Sequence, residues 1–250
     1  MRPAYNLDKI KFATDGPTFE RAVALYESHK VTKFHDNGIT YTATVLGKEP
    51  YEVYVSDRQY DEGNCTCYLG QTDILCKHMV AVALYVVMNG KPMTDEDQKH
   101  VQLPSCSGEL RILDSEQLSA TKKAITDDIR YIKPYNGPSR VWFAYQNSLQ
   151  EGCNRLSVLV SDLPVSEQTA KLLVDLLLRL DRKLSYGGVD DSDGTVGGFI
   201  EETVEVLKEY AKLDPRCAKA FKKLKGRETC FGWEESLLDL IKNDQDGGAA

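Results

Sequence analysis

The chain has little that would place it in a membrane or a secretory pathway. Its longest apolar run, residues 79–88, is about half the length that a helix needs to span a bilayer. Its first residues, Met-Arg-Pro-Ala-Tyr-Asn-Leu-Asp, lack the apolar core of a secretory signal. We therefore expect a cytoplasmic protein with no membrane partner.

Positive charge is also scarce. The 250 residues include 31 Lys and Arg against 38 Asp and Glu, which gives a formal net charge of −7. Because binding to nucleic-acid phosphates depends on clustered Lys and Arg, this balance argues against a protein that coats nucleic acid. The apolar content of 42% is that of an ordinary globular protein, and a chain of this length can form one large domain or two small ones.

Seven cysteines are too few, and odd in number, for a disulfide framework. Three of them lie close together, in Cys65-Thr66-Cys67 and in Cys76-Lys77-His78. Three thiolates and one imidazole are a tetrahedral donor set for Zn²⁺, and a closed set of four leaves no position for catalysis. The alternative, two buried free thiols beside an unrelated histidine, leaves the clustering unexplained. The other four cysteines are expected to be reduced.

Local patterns around the cluster predict a small mixed domain. Residues 1–16 are expected to be irregular, followed by a helix over 18–30. Three strands are predicted over 31–35, 39–46 and 51–55, and Asn37-Gly38 favours a type I′ hairpin between the first two. A buried helix over 79–88 should have Cys76 just ahead of it and His78 in its first turn. Its positive N-terminus would help to keep the thiols deprotonated.

The spacing Cys-x-Cys-x8-Cys-x-His, preceded by strands and followed by an apolar helix, resembles the SWIM-type zinc finger over about residues 31–90. The resemblance implies that Cys65, Cys67, Cys76 and His78 hold the metal. It also implies DNA binding or protein–protein interaction, often beside chromatin, transposition or recombination machinery. The chain lacks a helicase, transposase or ligase segment, so the expected role is that of an accessory factor.

The rest of the chain is predicted to be helical, with breaks at 134–138, Pro164 and 186–198. The expected fold class is α+β: a small antiparallel β-meander and helix with a structural zinc site, followed by an all-α domain. The predicted bounds are 1–92 for the zinc-finger domain with its N-terminal helix, 93–112 for a linker, 113–243 for the helical domain and 244–250 for a disordered tail.

Two glycine-containing segments of the helical part leave alternatives open. The spacing of apolar residues over 139–163 predicts one long helix, or two helices with a kink at Gly152. The Gly- and Asp-rich segment 187–198 suggests a calcium loop, but the position of the final bidentate Glu falls on Ile200. A polar connection between helices, with the next helix starting at Phe199, is the better interpretation, and the sequence assigns this loop no role.

A basic segment runs from Lys212 to Arg227 and holds seven cations and one acid. On an α-helix, Lys212, Arg216, Lys219 and Lys223 would share one face, with Phe221 and Leu224 turned toward the core. The face could contact nucleic-acid phosphates. Equally, residues 189–209 hold seven acids and one Lys, so the two segments could neutralise each other.

These patterns support three functional hypotheses. The first is a non-enzymatic adaptor whose partner is another protein. The second is a DNA- or RNA-binding accessory factor that uses the finger and the basic segment. The third is an enzyme with a site hidden in the helical domain, although no catalytic residue and no small-molecule substrate can be identified from a known signature.

Overall fold

The structure is a computed structural model that describes residues 3–98, 103–138 and 142–246. The chain divides into two compact units, Met1–His100 and Val101–Ala250. This division falls inside the segment 93–112, which the sequence predicts to be a linker. The exact bounds of the linker and of the helical domain stay predictions. Of the predicted tail, 244–246 belong to the last helix and 247–250 lie outside the described residues.

The N-terminal unit, Met1–His100, is built from helices around a small sheet. In chain order its elements are α1 Leu7–Ala13, α2 Gly16–Glu27, β1 Val31–Asp36, β2 Thr40–Leu46, β3 Pro50–Ser56, β4 Gly63–Cys65, α3 Lys77–Met88 and α4 Asp95–Gln98. The four strands are antiparallel and lie in sequence order. One face of the sheet alternates into the core through Tyr41, Ala43, Val45, Val53 and Val55.

Helix α3 is the central element of this unit. It packs against α2, β2 and β3, and every residue from His78 to Leu84 is buried. A helix that is buried all round must be apolar all round, as the run 79–88 is. The helix ends at Asn89, which adopts the left-handed conformation with φ of 51°.

Two local expectations for this unit are wrong. The segment 1–16 contains α1, which the Asn6 side chain caps by accepting from the Lys9 amide at 2.9 Å. The β1–β2 hairpin forms, but among its loop residues only Gly38 has a positive φ, whereas a type I′ turn needs two. The Asp36 side chain accepts from the Gly38 amide at 2.8 Å and stabilises this longer loop.

The C-terminal unit, Val101–Ala250, is helical in its described residues apart from one isolated bridge between Leu110 and Val165. Its α-helices are α5 Ser115–Asp128, α6 Trp142–Asp162, α7 Glu167–Ser185, α8 Thr195–Leu213 and α9 Glu235–Asp246; its 3₁₀ helices are Ile129–Tyr131, Pro215–Leu224 and Cys230–Gly232. Helix α7 carries a wide stripe of buried leucines into the core. The predicted α+β class, with a helical region after the mixed unit, is confirmed.

Helix α8 begins four residues before the predicted Phe199 because of the Asp-rich loop. The Asp191 carboxylate accepts hydrogen bonds from the amides of Val196 at 2.7 Å and Gly197 at 2.8 Å. These amides have no partner inside the helix, so the carboxylate extends the helix into the loop. The loop therefore serves as a cap for α8.

Gly152 lies within α6, which is one continuous helix. A Cβ atom at this position would lie 2.9 Å from Ile132 Cγ1 and 3.0 Å from Tyr131 Cβ. Glycine is therefore needed for the close approach of the chain at 131–132. Of the two alternatives that the sequence leaves open, the structure has the single helix over the described residues 142–162, while 139–141 lie outside the described residues.

We predict opposite effects for two glycine substitutions in this unit. Gly152→Ala should lower the free energy of unfolding by about 1–3 kcal/mol, because the added methyl group overpacks the contact with Ile132. Gly198→Ala should raise it by about 0.5–1 kcal/mol, because nothing lies within 4 Å of the added Cβ and alanine favours helix. Urea unfolding of both variants measures the difference, and equal effects of the same sign would contradict the packing argument.

Candidate metal centre

Four donor residues converge from three adjoining elements of the N-terminal unit. Cys65 is the last residue of β4, where it pairs with Val53 on β3, and Cys67 follows two residues later. Cys76 is the N-cap of α3, and His78 lies in the first turn of that helix. The chain between Cys67 and Cys76 is a loop with a single 3₁₀ turn at Gly70–Thr72; we call residues 66–75 the knuckle loop.

The donor atoms have the spacing of a tetrahedral metal site. All four lie within 4.8 Å of one another, and His78 Nδ1 is 3.6 Å from Cys65 Sγ and 3.8 Å from Cys76 Sγ. Zinc bonds of about 2.3 Å to sulfur and 2.0–2.1 Å to nitrogen, at tetrahedral angles, put sulfur and nitrogen about 3.6 Å apart. The four residues therefore fit a zinc ion with little rearrangement.

All four side chains are buried, with exposed fractions of 0% for Cys65, 8% for Cys67, 1% for Cys76 and 4% for His78. A buried polar cluster is costly unless its members are paired or bind a metal. Since the set already provides four ligands and is closed to solvent, it suits a structural ion better than a catalytic one.

The orientation of the imidazole selects the coordinating nitrogen. Nδ1 faces the two thiols, while Nε2 is buried with no hydrogen-bond partner among the described residues. The ring stacks on Tyr51, with centroids 4.3 Å apart and an interplanar angle of 26°. Tyr51 thus fixes the plane of the ring, a contact that the ligand spacing alone does not indicate.

Without a metal, Cys65 and Cys76 share a hydrogen bond that shifts their pKa values in opposite directions. The hydrogen bond from the Cys65 thiol, followed by those from His78 and the Met79 amide, lowers the pKa of Cys76 to about 4 against the opposing effect of burial. The same shared hydrogen bond, together with burial, raises the pKa of Cys65. The positive end of α3 and this hydrogen bond favour the thiolate form of Cys76, and zinc binding requires the remaining thiols to lose their protons.

The knuckle loop is tied to the sulfur atoms by its backbone. The Cys67 amide donates to Cys65 Sγ at 3.5 Å, and the Gly70 amide donates to Cys67 Sγ at 3.4 Å. A Cβ atom at Gly70 would lie 2.4 Å from the Cys65 carbonyl oxygen and 2.5 Å from its Cβ. Only glycine allows the loop to approach Cys65 this closely.

The structure separates the four cations that were predicted to share a face. Lys212 lies in the last turn of α8, whereas the other three lie on the 3₁₀ helix Pro215–Leu224. Residues three apart align on a 3₁₀ helix, so Arg216 and Lys219 share a row and Lys223 does not. Phe221 and Leu224 are fully buried, as expected.

Each of these four cations also faces an acid. The pairs are Lys212 with Glu209 at 2.6 Å, Arg216 with Asp214 at 2.9 Å, Lys219 with Glu167 at 3.6 Å, and Lys223 with Asp175. The bond from Arg216 holds the pKa of Asp214 below its usual value. Neutralisation therefore comes mainly from α7 and from Asp214, and only Glu209 belongs to the acidic segment 189–209.

Comparison with known proteins identifies the finger. Residues 51–87 match the family model of the SWIM zinc finger, which confirms the resemblance drawn from the ligand spacing. No curated protein and no solved structure matches the chain significantly. The match and the Cys₃His cluster together support zinc binding by the N-terminal unit.

We predict that Cys67→Ser lowers zinc affinity by more than about 100-fold. Changes to residues that only support a ligand cost up to about 100-fold, and the loss of a ligand should cost more. Because structural zinc contributes folding free energy directly, residues 31–90 should also lose their structure. Metal analysis and thermal unfolding measure both effects. Cys106→Ser, outside the cluster, is the matched control; a Cys67→Ser protein with full zinc and an unchanged melting curve would exclude Cys67 as a ligand.

Gly70→Ala tests the knuckle loop without removing a donor. The added methyl group should push the loop away from Cys65 and break the Gly70 amide bond to Cys67 Sγ, lowering zinc affinity by about 10- to 100-fold. Competition with a chromogenic chelator measures the affinity. Gly198→Ala, in the other unit, should leave it unchanged, and so would Gly70→Ala if the close approach had no effect on the metal.

Proposed function

We propose that this chain is a non-enzymatic interaction module in which one Zn²⁺, held by Cys65, Cys67, Cys76 and His78, shapes a surface that binds another protein. Zinc in this role would be structural, and its binding energy would stabilise the N-terminal unit. What supports a protein partner is the exterior of the knuckle loop, where three apolar side chains are exposed beside polar ones.

Three apolar side chains stand on the outside of this loop. Tyr68 is 81% exposed, Ile74 is 52% exposed and Leu69 is 39% exposed. Single exposed apolar residues are common, but a group on one short loop is typical of an interaction surface. Tyrosine is also among the residues that are enriched at the energetic centres of protein interfaces.

The loop presents these side chains in a fixed conformation. The amides of Thr72 and Ile74 both donate to the Leu69 carbonyl, at 3.0 and 3.1 Å, and Asp73 turns the chain with a φ of 56°. Because the loop begins and ends beside the donor cluster, bound zinc would hold it at both ends. A preordered loop loses less conformational entropy when it binds a partner.

The distribution of charge favours a protein over a nucleic acid as partner. The knuckle loop contains one acid, Asp73, and no Lys or Arg. In the C-terminal unit, the cations proposed to contact phosphates already face acids. Exposed ion pairs are weak, at about 0–1 kcal/mol each, so they do not prevent phosphate binding, but they offset the charge of these four cations.

The proposal includes a location in the cytoplasm and no catalytic activity of the chain's own. All seven cysteines are free thiols, as expected in a reducing compartment. Within the described ranges, no helix has both the length and the apolar character required to cross a bilayer. The proposed metal has a complete ligand set, which would leave it no open position for a substrate.

Affinity capture with the immobilised, zinc-loaded chain tests the proposal. We expect specific proteins to be retained by the wild type and lost with Tyr68→Ser/Ile74→Ser, because the double change removes the exposed apolar surface and leaves the donors in place. Tyr186→Ser, which removes a tyrosine that is 91% exposed in the other unit, is the matched control. Equal retention by all three proteins would contradict the proposed surface.

The nucleic-acid alternative makes a different prediction for the same protein. Fluorescence anisotropy with labelled single- and double-stranded DNA and RNA would show affinity that falls steeply with salt. That affinity would be lost in Lys219→Glu/Lys223→Glu and retained in Tyr68→Ser/Ile74→Ser. This pattern would replace the protein-binding proposal.

A further inference from the structure

The N-terminal unit has a concave surface at the opposite end of α3 from the donor cluster. It is a cavity of about 730 Å³ between the last turn of α3, the start of α1 and the strands β1 and β2. Its volume falls within the range of small-molecule sites, about 300–1,000 Å³. Four aromatic residues line it, Tyr5, Phe34, Tyr41 and Tyr85, and we call it the aromatic cavity.

The aromatic rings form a connected wall. Phe34 stacks on Tyr41 with centroids 6.0 Å apart and an interplanar angle of 17°, and it meets Tyr85 at 4.9 Å and 44°. Phe34 and Tyr85 are half-buried, so parts of their surfaces remain accessible. The faces of such rings carry partial negative charge and attract cations.

Further negative charge surrounds this wall. The exposed side chain of Asp36 lines the cavity. Burial, followed by the carboxylates of Asp36 and Asp57, raises the pKa of Tyr41. The residues 85–88 that close the cavity are the C-terminal turn of α3, where the helix dipole is negative.

Two tyrosines of the lining have buried hydroxyl groups. Among the residues that the structure describes, the hydroxyl groups of Tyr5 and Tyr41 have no hydrogen-bond partner. The residues themselves are 6% and 1% exposed. A buried hydroxyl without a partner destabilises the fold, but both oxygens are closed to solvent, so the rings of Phe34 and Tyr85 are the aromatic surfaces that a ligand can reach.

We propose that the aromatic cavity binds a methylated ammonium group, either on a free small molecule or on a lysine side chain of another protein. Methyl groups suit the rings of Phe34 and Tyr85, and the positive charge suits Asp36 and the end of α3. The remaining volume would hold the aliphatic chain that carries the group.

One cationic side chain, Lys91, is found among the described residues that line the cavity. Its flexible stem allows the ammonium group to move toward solvent, whereas Asp36 is anchored through its bond to the Gly38 amide. The preference for a cation therefore comes from the ring faces and from the C-terminal end of α3, with Asp36 at the rim.

Isothermal titration of the full, zinc-loaded chain tests the site. The probes are choline and its neutral isostere 3,3-dimethylbutan-1-ol, which has the same shape without the charge. We expect saturable binding of choline tighter than about 1 mM and at least tenfold weaker binding of the isostere. Equal binding of the two probes, or no saturable binding of choline or of the methylated peptide described next, would overturn the proposal.

Two peptides that differ in one group distinguish the sources of the ligand. One carries trimethyllysine and the other carries unmodified lysine in the same sequence. Tighter binding of the trimethyllysine peptide than of both choline and the unmodified peptide would support a protein ligand. Binding of choline without binding of the methylated peptide would support a small molecule.

Substitutions in the cavity wall test whether the ligand binds in the aromatic cavity. Tyr85→Leu should weaken binding about five- to thirtyfold by removing one ring face, and Asp36→Asn about five- to tenfold while keeping the acceptor for Gly38. Tyr54→Leu, on an exposed position of β3 outside the cavity, should bind like the wild type. Unchanged affinity in both Tyr85→Leu and Asp36→Asn would overturn the assignment. Zinc content and melting temperature report separately on folding, so failure here leaves the proposed knuckle surface untouched.

Discussion

Three sulfur atoms and one imidazole nitrogen occupy a buried space less than 5 Å across, beside the first turn of a helix. Such a cluster is stable only if protons or a metal balance its charge, and either solution holds β4, the knuckle loop and α3 together. The constraint matters because the binding free energy of a structural metal adds directly to the stability of the unit that holds it. The stacking of Tyr51 on His78 and the close approach at Gly70 follow from it.

Helix α3 connects the two sites of the N-terminal unit through its polarity. Its N-terminus, where partial positive charge accumulates, carries Cys76 and favours the thiolate form of that residue. Its C-terminus, where partial negative charge accumulates, closes the aromatic cavity for which we propose a cationic ligand. The middle of the helix is buried, so both ends are fixed relative to the sheet. A single apolar helix can thus support a metal site at one end and a cation site at the other.

In the C-terminal unit, the sequence shows local charge but not the partners of the charged side chains. Its basic segment is prominent in the sequence, yet the acids that face it lie on α7, at Glu167 and Asp175, and at Asp214 beside the 3₁₀ helix. The Asp-rich loop likewise suggested an ion site, but Asp191 uses both carboxylate oxygens on amides of α8. In both cases charged side chains satisfy partners within the fold.

The sequence by itself determined the features that depend on near neighbours along the chain. The ligand spacing identified the finger, alternation in β2 gave its buried face, and the apolar run 79–88 gave α3. Only the tertiary structure decided which nitrogen of His78 faces the thiols, and that the basic segment forms a 3₁₀ helix rather than the expected α-helical face. It also brought Tyr5, Phe34, Tyr41 and Tyr85 to one cavity. Spacing and periodicity report on contacts within a turn or a strand, whereas these features arise from packing between elements that are distant in the chain, where no local pattern records which residues will meet.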